Sequence, residues 1–234
     1  MRNLNSCHGV NDLRAKSIRG FAQVLAIFGI ALFLPAGTLK FFQAWIFLAI
    51  FAGCGALITG YLWTHDPKLL ERRMSAGPTA EKGKSQKLIM SLANFGMMAL
   101  LVIPGLDHRW SWSHVPTAIA VFGDFLIIAS GYLVFFVFRE NSFASGTVEI
   151  AKDQRVISTG PYSIVRHPMY TGVVFWLIGT PLALGSYWGL PAIVVMMPVL
   201  AWRLLNEERF LAKHLPGYVE YQKTVRYRLI PFVW

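Results

Sequence analysis

The sequence predicts an all-α, polytopic transmembrane helical bundle of about six spans with both termini on the cytoplasmic side. Three observations carry this. Apolar residues make up 55% of the 234 positions and charged residues only 15%, against roughly 25% charged in soluble domains. The apolar residues fall in long blocks, each near the roughly 20 residues that a span requires. All 22 Lys and Arg residues except Lys40 and Arg109 lie in the two tails or in two of the connections, as expected of segments held on the cytoplasmic side.

Taken in order, residues 1–20 are polar and basic, with Arg2, Arg14, Lys16 and Arg19. The apolar block that follows lacks a small-residue cleavage site and is expected to be retained as a span. Spans are expected over 19–37, 41–64, 86–105, 115–138, 168–184 and 188–206. The last two are short and joined by Gly185-Ser186-Tyr187, so a tilted or partly inserted hairpin is an alternative to two full crossings. Residues 1–138 are read as a four-span scaffold and 139–234 as the working core. An even number of crossings keeps both termini on one side.

Composition also excludes function classes. The formal net charge of +10 would suggest nucleic acid in a soluble protein, but here it reads as positive loops at a membrane. No P-loop, HExxH, GxSxG or strand-associated GxGxxG occurs. The scattered histidines His8, His65, His108, His114 and His214 have no metal-ligand spacing, so no metal is expected. Asp124 lies inside the fourth span, where an ionisable group is a functional candidate by default; a hydrogen bond within the bundle would explain it equally.

Chemistry-bearing residues gather on the predicted cytoplasmic side. The 64–87 loop is basic and punctuated by Asp66-Pro67, Gly77-Pro78 and Gly83, suited to orienting the chain near anionic headgroups. The 139–167 segment carries Arg139, Glu140, Asn141, Glu149, Asp153, Gln154 and Arg155, then Gly160-Pro161-Tyr162 and Arg166-His167-Pro168. That is more polar chain than a connection needs. Pro168 suits the first turn of a helix. Arg166 and His167 would stand at that helix's N-terminus, where free N–H groups and the dipole favour an anion. Arg203 and Glu207 are four residues apart, on one helix face, with Glu208 adjacent. A carboxylate there suits an ammonium or a ribose hydroxyl, and the guanidinium suits an anionic substrate group. A structural salt bridge is the plainer alternative. Tyr218 and Tyr221, with Arg226 and Arg228 beyond them, read as an amphipathic tail helix on the membrane surface.

The string Gln154-Arg155-Val156-Ile157-Ser158-Thr159-Gly160-Pro161-Tyr162, with Arg166-His167-Pro168-Met169-Tyr170-Thr171-Gly172, resembles the core of the isoprenylcysteine carboxyl methyltransferases and the related phospholipid methyltransferases. Glu207-Glu208, Leu211, Tyr218, Tyr221 and Ile230-Pro231-Phe232 follow in the same order. The resemblance covers about residues 139–234. It implies S-adenosylmethionine as methyl donor, contacted by Gln154, Arg155, Val156, Ile157, Tyr162, His167, Pro168, Met169, Tyr170 and Glu207. It further implies that Arg203 holds the methyl-accepting carboxylate. Arg166, Glu208, Tyr218, Tyr221 and Arg228 are secondary candidates. The partners implied are a lipophilic or small acceptor and membrane lipid, with no nucleic acid. The implied location is a cytoplasmic membrane, prokaryotic on this reading, with the site facing the cytoplasm. An NADPH-dependent sterol-type reductase and a non-enzymatic membrane accessory protein stand as alternatives.

Overall fold

A computed structural model describes residues 4–75, 83–147, 150–151 and 153–234, with the side chains of 4–11 left aside. Gly77-Pro78 and Glu149 lie outside the described residues. The helices are α1 (Leu4–Ala36), α2 (Phe42–His65), α3 (Pro67–Met74), α4 (Lys84–Trp110), α5 (Thr117–Glu140), α6 (Pro168–Ala183), α7 (Leu190–His214) and α8 (Tyr218–Thr224), with a 3-10 turn over Gly160–Ser163. No strand occurs among the described residues. Five helices (α1, α2, α4, α5 and α7) are long and apolar enough to cross a membrane. Their outward faces carry exposed Leu34, Leu57, Phe95 and Val194, side chains that a water-facing surface would not collect in such density.

Two boundaries differ from the sequence reading, while the fifth segment is short, as expected. The 64–87 connection contains a helix, α3, because Asp66 accepts a bond from the Leu69 N–H (2.9 Å) and Pro67 occupies the first turn, a strong helix start. The sixth segment does not stop at 206. It continues as α7 to His214, so Arg203, Glu207 and Glu208 sit within a helix and not at its end. The fifth segment, α6, has 16 residues. That is about 24 Å of helix, short of the roughly 30 Å hydrocarbon layer.

α6 is instead buried against α5. Gly123 and Gly179 let the two backbones touch: a Cβ on Gly123 would meet the Gly179 carbonyl oxygen at 2.8 Å, and one on Gly179 would meet the Gly123 oxygen at 2.8 Å. Two turns further along, Ser130 Oγ donates to the Gly172 carbonyl (2.7 Å). Small residues and interhelical hydroxyl bonds are the usual means of close helix packing in lipid.

The two ends of the bundle differ. At one end, the buried carboxylate of Asp107 accepts from Ser113 Oγ (2.6 Å) and Ser186 Oγ (2.5 Å). This ties the α4–α5 loop to the α6–α7 loop, beside a cluster of Trp110, Trp112 and Trp188. Tryptophans at that level match an interfacial aromatic belt. At the other end meet α3, the start of α4, the end of α5, the 141–167 loop, the start of α6 and the end of α7. The candidate site lies there.

Candidate functional site

The centre of this end is Glu208, 4% exposed. Its Oε1 accepts from Arg166 Nε (2.6 Å) and lies 3.3 Å from His167 Nε2, while Oε2 accepts from Arg228 Nε (2.8 Å). Arg166 also donates to the carbonyls of Val225 (2.9 Å) and Arg226 (3.0 Å). The backbone N–H groups of Arg166 and His167 bond the carbonyls of Tyr227 and Arg228 (2.9 and 3.0 Å), and Thr171 Oγ1 donates to Leu229 O (2.7 Å). The tail is thereby laid along the start of α6. A buried carboxylate needs such pairing, because an uncompensated charge would be strongly disfavoured. Arg166 is thus committed to a charge of the protein's own, not to an incoming anion at the helix N-terminus.

Glu207 points elsewhere. Successive helical residues diverge by about 100°, so Glu207 leaves the Glu208 cluster and accepts from Tyr170 Oη (2.6 Å). Arg203, one turn earlier, donates to Gln86 Oε1 (3.2 Å) and to the Gly146 carbonyl (2.9 Å). Both residues face a cavity of about 800 Å³. Every residue carried over from the resemblance as a donor contact lines it: Gln154, Arg155, Val156, Ile157, Tyr162, His167, Pro168, Met169, Tyr170 and Glu207. Arg203, Arg166, Tyr218 and Tyr221 line it as well, whereas Glu208 and Arg228 stand behind its wall.

The tail tyrosines also depart from expectation. α8 has only seven residues, and Tyr218 and Tyr221 are buried among Ile150, Val156, Leu211 and Val225 instead of lying on a membrane surface. Tyr221 Oη donates to the Tyr162 carbonyl (2.7 Å), and Tyr162 Oη accepts from Asn141 Nδ2 (2.9 Å). Burial pushes the Tyr162 phenol up to about 12, and burial likewise raises Tyr218 and Tyr221. All three are neutral hydrogen-bonding groups at physiological pH. Tyr218 Oη is buried, has no partner among the described residues, and borders the cavity. An unpaired buried hydroxyl is costly, and a bound polar ligand would satisfy it.

The cavity changes character with depth. Near the loops it is walled by the polar groups above. Further in, between the helices, it is bounded by Phe28, Phe51, Ile58, Met97, Trp176 and Met196, among others. Sequence reasoning found the polar rim but missed Asn141 as the Tyr162 partner. It also missed Arg73, which comes from α3 and lines the same cavity. The Asp-Pro helix start was a usable signal for α3; nothing local pointed Arg73 inward. Asp124 lies away from the cavity wall, and its Oδ1 is buried without a partner among the described residues.

The sequence is similar to known proteins. The profile of the phospholipid methyltransferase family matches residues 118–216. Protein-S-isoprenylcysteine O-methyltransferase B of Arabidopsis thaliana is 28% identical over 146 residues, which are 57% of this chain and 66% of that protein. A probable protein-S-isoprenylcysteine O-methyltransferase of Oryza sativa subsp. indica is 25% identical over 82% of this chain and 97% of its own length. The Xenopus laevis protein-S-isoprenylcysteine O-methyltransferase is 34% identical over 36% of this chain and 30% of that protein. Residues 118–216 are thus similar to the phospholipid methyltransferase family, and the chain is similar over a longer stretch to protein-S-isoprenylcysteine O-methyltransferases.

Proposed function

We propose that this protein transfers a methyl group from S-adenosylmethionine to the carboxylate of a prenylcysteine-like acceptor, at the cytoplasmic face of a membrane. The observation that carries the reading is one continuous cavity, polar at the loop end and apolar between the helices. A polar donor and a lipophilic acceptor need those two environments side by side.

The residues fit a donor of this kind. The Glu207 carboxylate suits an ammonium, and the unpartnered Tyr218 hydroxyl suits a polar ligand atom. When bound, the sulfonium donor supplies an electrophilic methyl group whose departure leaves a neutral thioether. A carboxylate acceptor is already the nucleophile at neutral pH, so no side chain has to remove a proton. Arg203 holds and orients the carboxylate, while the α6–α7 wall excludes water. Positioning of this kind can supply several kcal/mol, up to roughly 7–11, of a barrier. The Lys/Arg asymmetry of the sequence supports the cytoplasmic placement.

The test is calorimetric and enzymatic. Purified protein in detergent is titrated with S-adenosylhomocysteine and, separately, with NADPH. It is then incubated with labelled donor and N-acetyl-S-farnesylcysteine. Binding of S-adenosylhomocysteine and a base-labile methyl ester are expected. Heat from NADPH alone would instead establish the reductase reading.

A further inference from the structure

Arg73 lies on α3, in the N-terminal half and outside the family-matched segment. Its position is fixed from both sides. Leu69 and Leu70 are buried against Val137 and Phe138, and Arg72 donates to the Ser142 carbonyl. The Arg73 guanidinium sits 5.0 Å over the Phe138 ring. Its Nη1 donates to the Ser145 carbonyl (3.2 Å) and lies 3.8 Å from Met169 Sδ. Arg203 arrives from the opposite side, on α7, and donates to the very next carbonyl, Gly146. Two guanidiniums from distant parts of the chain therefore grip adjacent carbonyls in the wall of one cavity.

No Asp or Glu among the described residues forms an ion pair with Arg73. Burial and the neighbouring Arg203 charge both pull its pKa below the usual value. A guanidinium has five N–H donors, and Arg73 spends one on a backbone oxygen. Arg73 therefore brings a second guanidinium beside Arg203 at the cavity wall, with donors left over that suit an anionic group.

We propose that Arg73 and Arg203 together form the seat for the acceptor's carboxylate, and that this pair selects acceptors bearing a free carboxylate beside a long apolar chain. Arg203 alone would give one point of attachment; a second guanidinium from across the cavity fixes the carboxylate plane. The apolar chain then runs inward past Trp176 and Met97. The inference rests on the methyl-acceptor reading above. The donor also carries a carboxylate, so the two sources must be separated.

Full-length protein, wild type and with Arg73→Gln or Arg73→Lys, is assayed three ways. These are the KM for N-acetyl-S-farnesylcysteine, the Ki of its carboxamide as inhibitor, and the Kd for S-adenosylhomocysteine. For Arg73→Gln, the KM is expected to rise roughly 10- to 100-fold, the scale of a lost charge-assisted bond. The carboxamide Ki and the donor-product Kd are expected to stay within about threefold. Arg73→Lys keeps the charge without the planar fork and is expected to restore part of the KM. If Arg73→Gln does not fold, Arg73→Lys decides by the same acid-to-amide ratio. An unchanged ratio overturns the assignment, as does a parallel rise for acid and amide. A weakened S-adenosylhomocysteine Kd with the ratio kept assigns Arg73 to the donor's carboxylate and overturns it too. Wild-type protein that binds S-adenosylhomocysteine yet never methylates the prenylcysteine refutes the acceptor reading and this inference together. Wild-type turnover with insensitive Arg73 variants refutes this inference alone.

Discussion

Arg166 Nε lies 2.6 Å from Glu208 Oε1, and neither side chain has more than 7% of its surface exposed. This pair, closed by His167 and Arg228, joins three segments: the start of α6, the end of α7 and the tail. It supports the cavity mechanically, with Arg166 and His167 on its wall and Glu208 and Arg228 behind them.

Removing one partner of the pair is expected to destabilise the fold severely. Breaking a buried ion pair typically costs about 3–5 kcal/mol. Glu208→Ala should lower the thermal midpoint in detergent far more than Glu207→Ala does, as read by a thiol-reactive or fluorescence melt. Equal melts for the two variants would show that Glu208 is not the support.

Glu207→Gln is expected to behave oppositely. It should leave the melt close to wild type and weaken S-adenosylhomocysteine about 10-fold or more, since a charge-assisted contact contributes about 1.5–3 kcal/mol. Tyr170→Phe, which removes the 2.6 Å hydrogen bond to Glu207, should show a smaller loss in the same titration. Unaltered affinity in both variants would remove Glu207 from the donor site.

The α5–α6 contact sets a steric limit. Gly179→Val would drive a side chain into the Gly123 carbonyl region, where even a Cβ would stand at 2.8 Å. Overpacking of this kind costs about 1–3 kcal/mol, and because α6 opens at Pro168 beside His167, activity should fall together with stability. A variant at Gly53, where an added Cβ meets nothing within 4 Å, serves as the tolerant control.

Alkaline stability should register Tyr162. Its phenol is raised to about 12 in the folded protein, against about 10 when unfolded. Below pH 10 both states hold the proton, and the tyrosine adds no slope. Between pH 10 and about 12 the unfolded state ionises first, so the folded state binds more protons and stability falls as pH rises. Tyr162→Phe is expected to flatten the stability–pH curve in that window. An identical slope in the variant would exclude the assignment.

Much of this protein was legible in the chain itself. Long apolar blocks cannot be hidden in a domain of this size, so composition and block length indicated a polytopic helical membrane protein of about six spans, of which the structure makes five long enough to cross. Lys/Arg distribution and the order of Arg166-His167-Pro168, Glu207-Glu208 and Tyr218 singled out the end at which the structure places the cavity. These are local or additive properties, and each can be read one segment at a time. The tertiary structure decided the partnerships. Glu207 and Glu208 are neighbours of like chemistry, yet helical geometry sends one to Tyr170 at the cavity and the other to Arg166, His167 and Arg228 behind it. Tyr218 and Tyr221 carry an amphipathic pattern that suits a membrane surface equally well, and only packing against Val156 and Leu211 buries them. Arg73 reaches Ser145 beside the Arg203 contact through the docking of α3 on α5. No periodicity in a sequence encodes which distant segment closes a cavity, because that depends on how the helices meet and on which buried charges find a counter-charge.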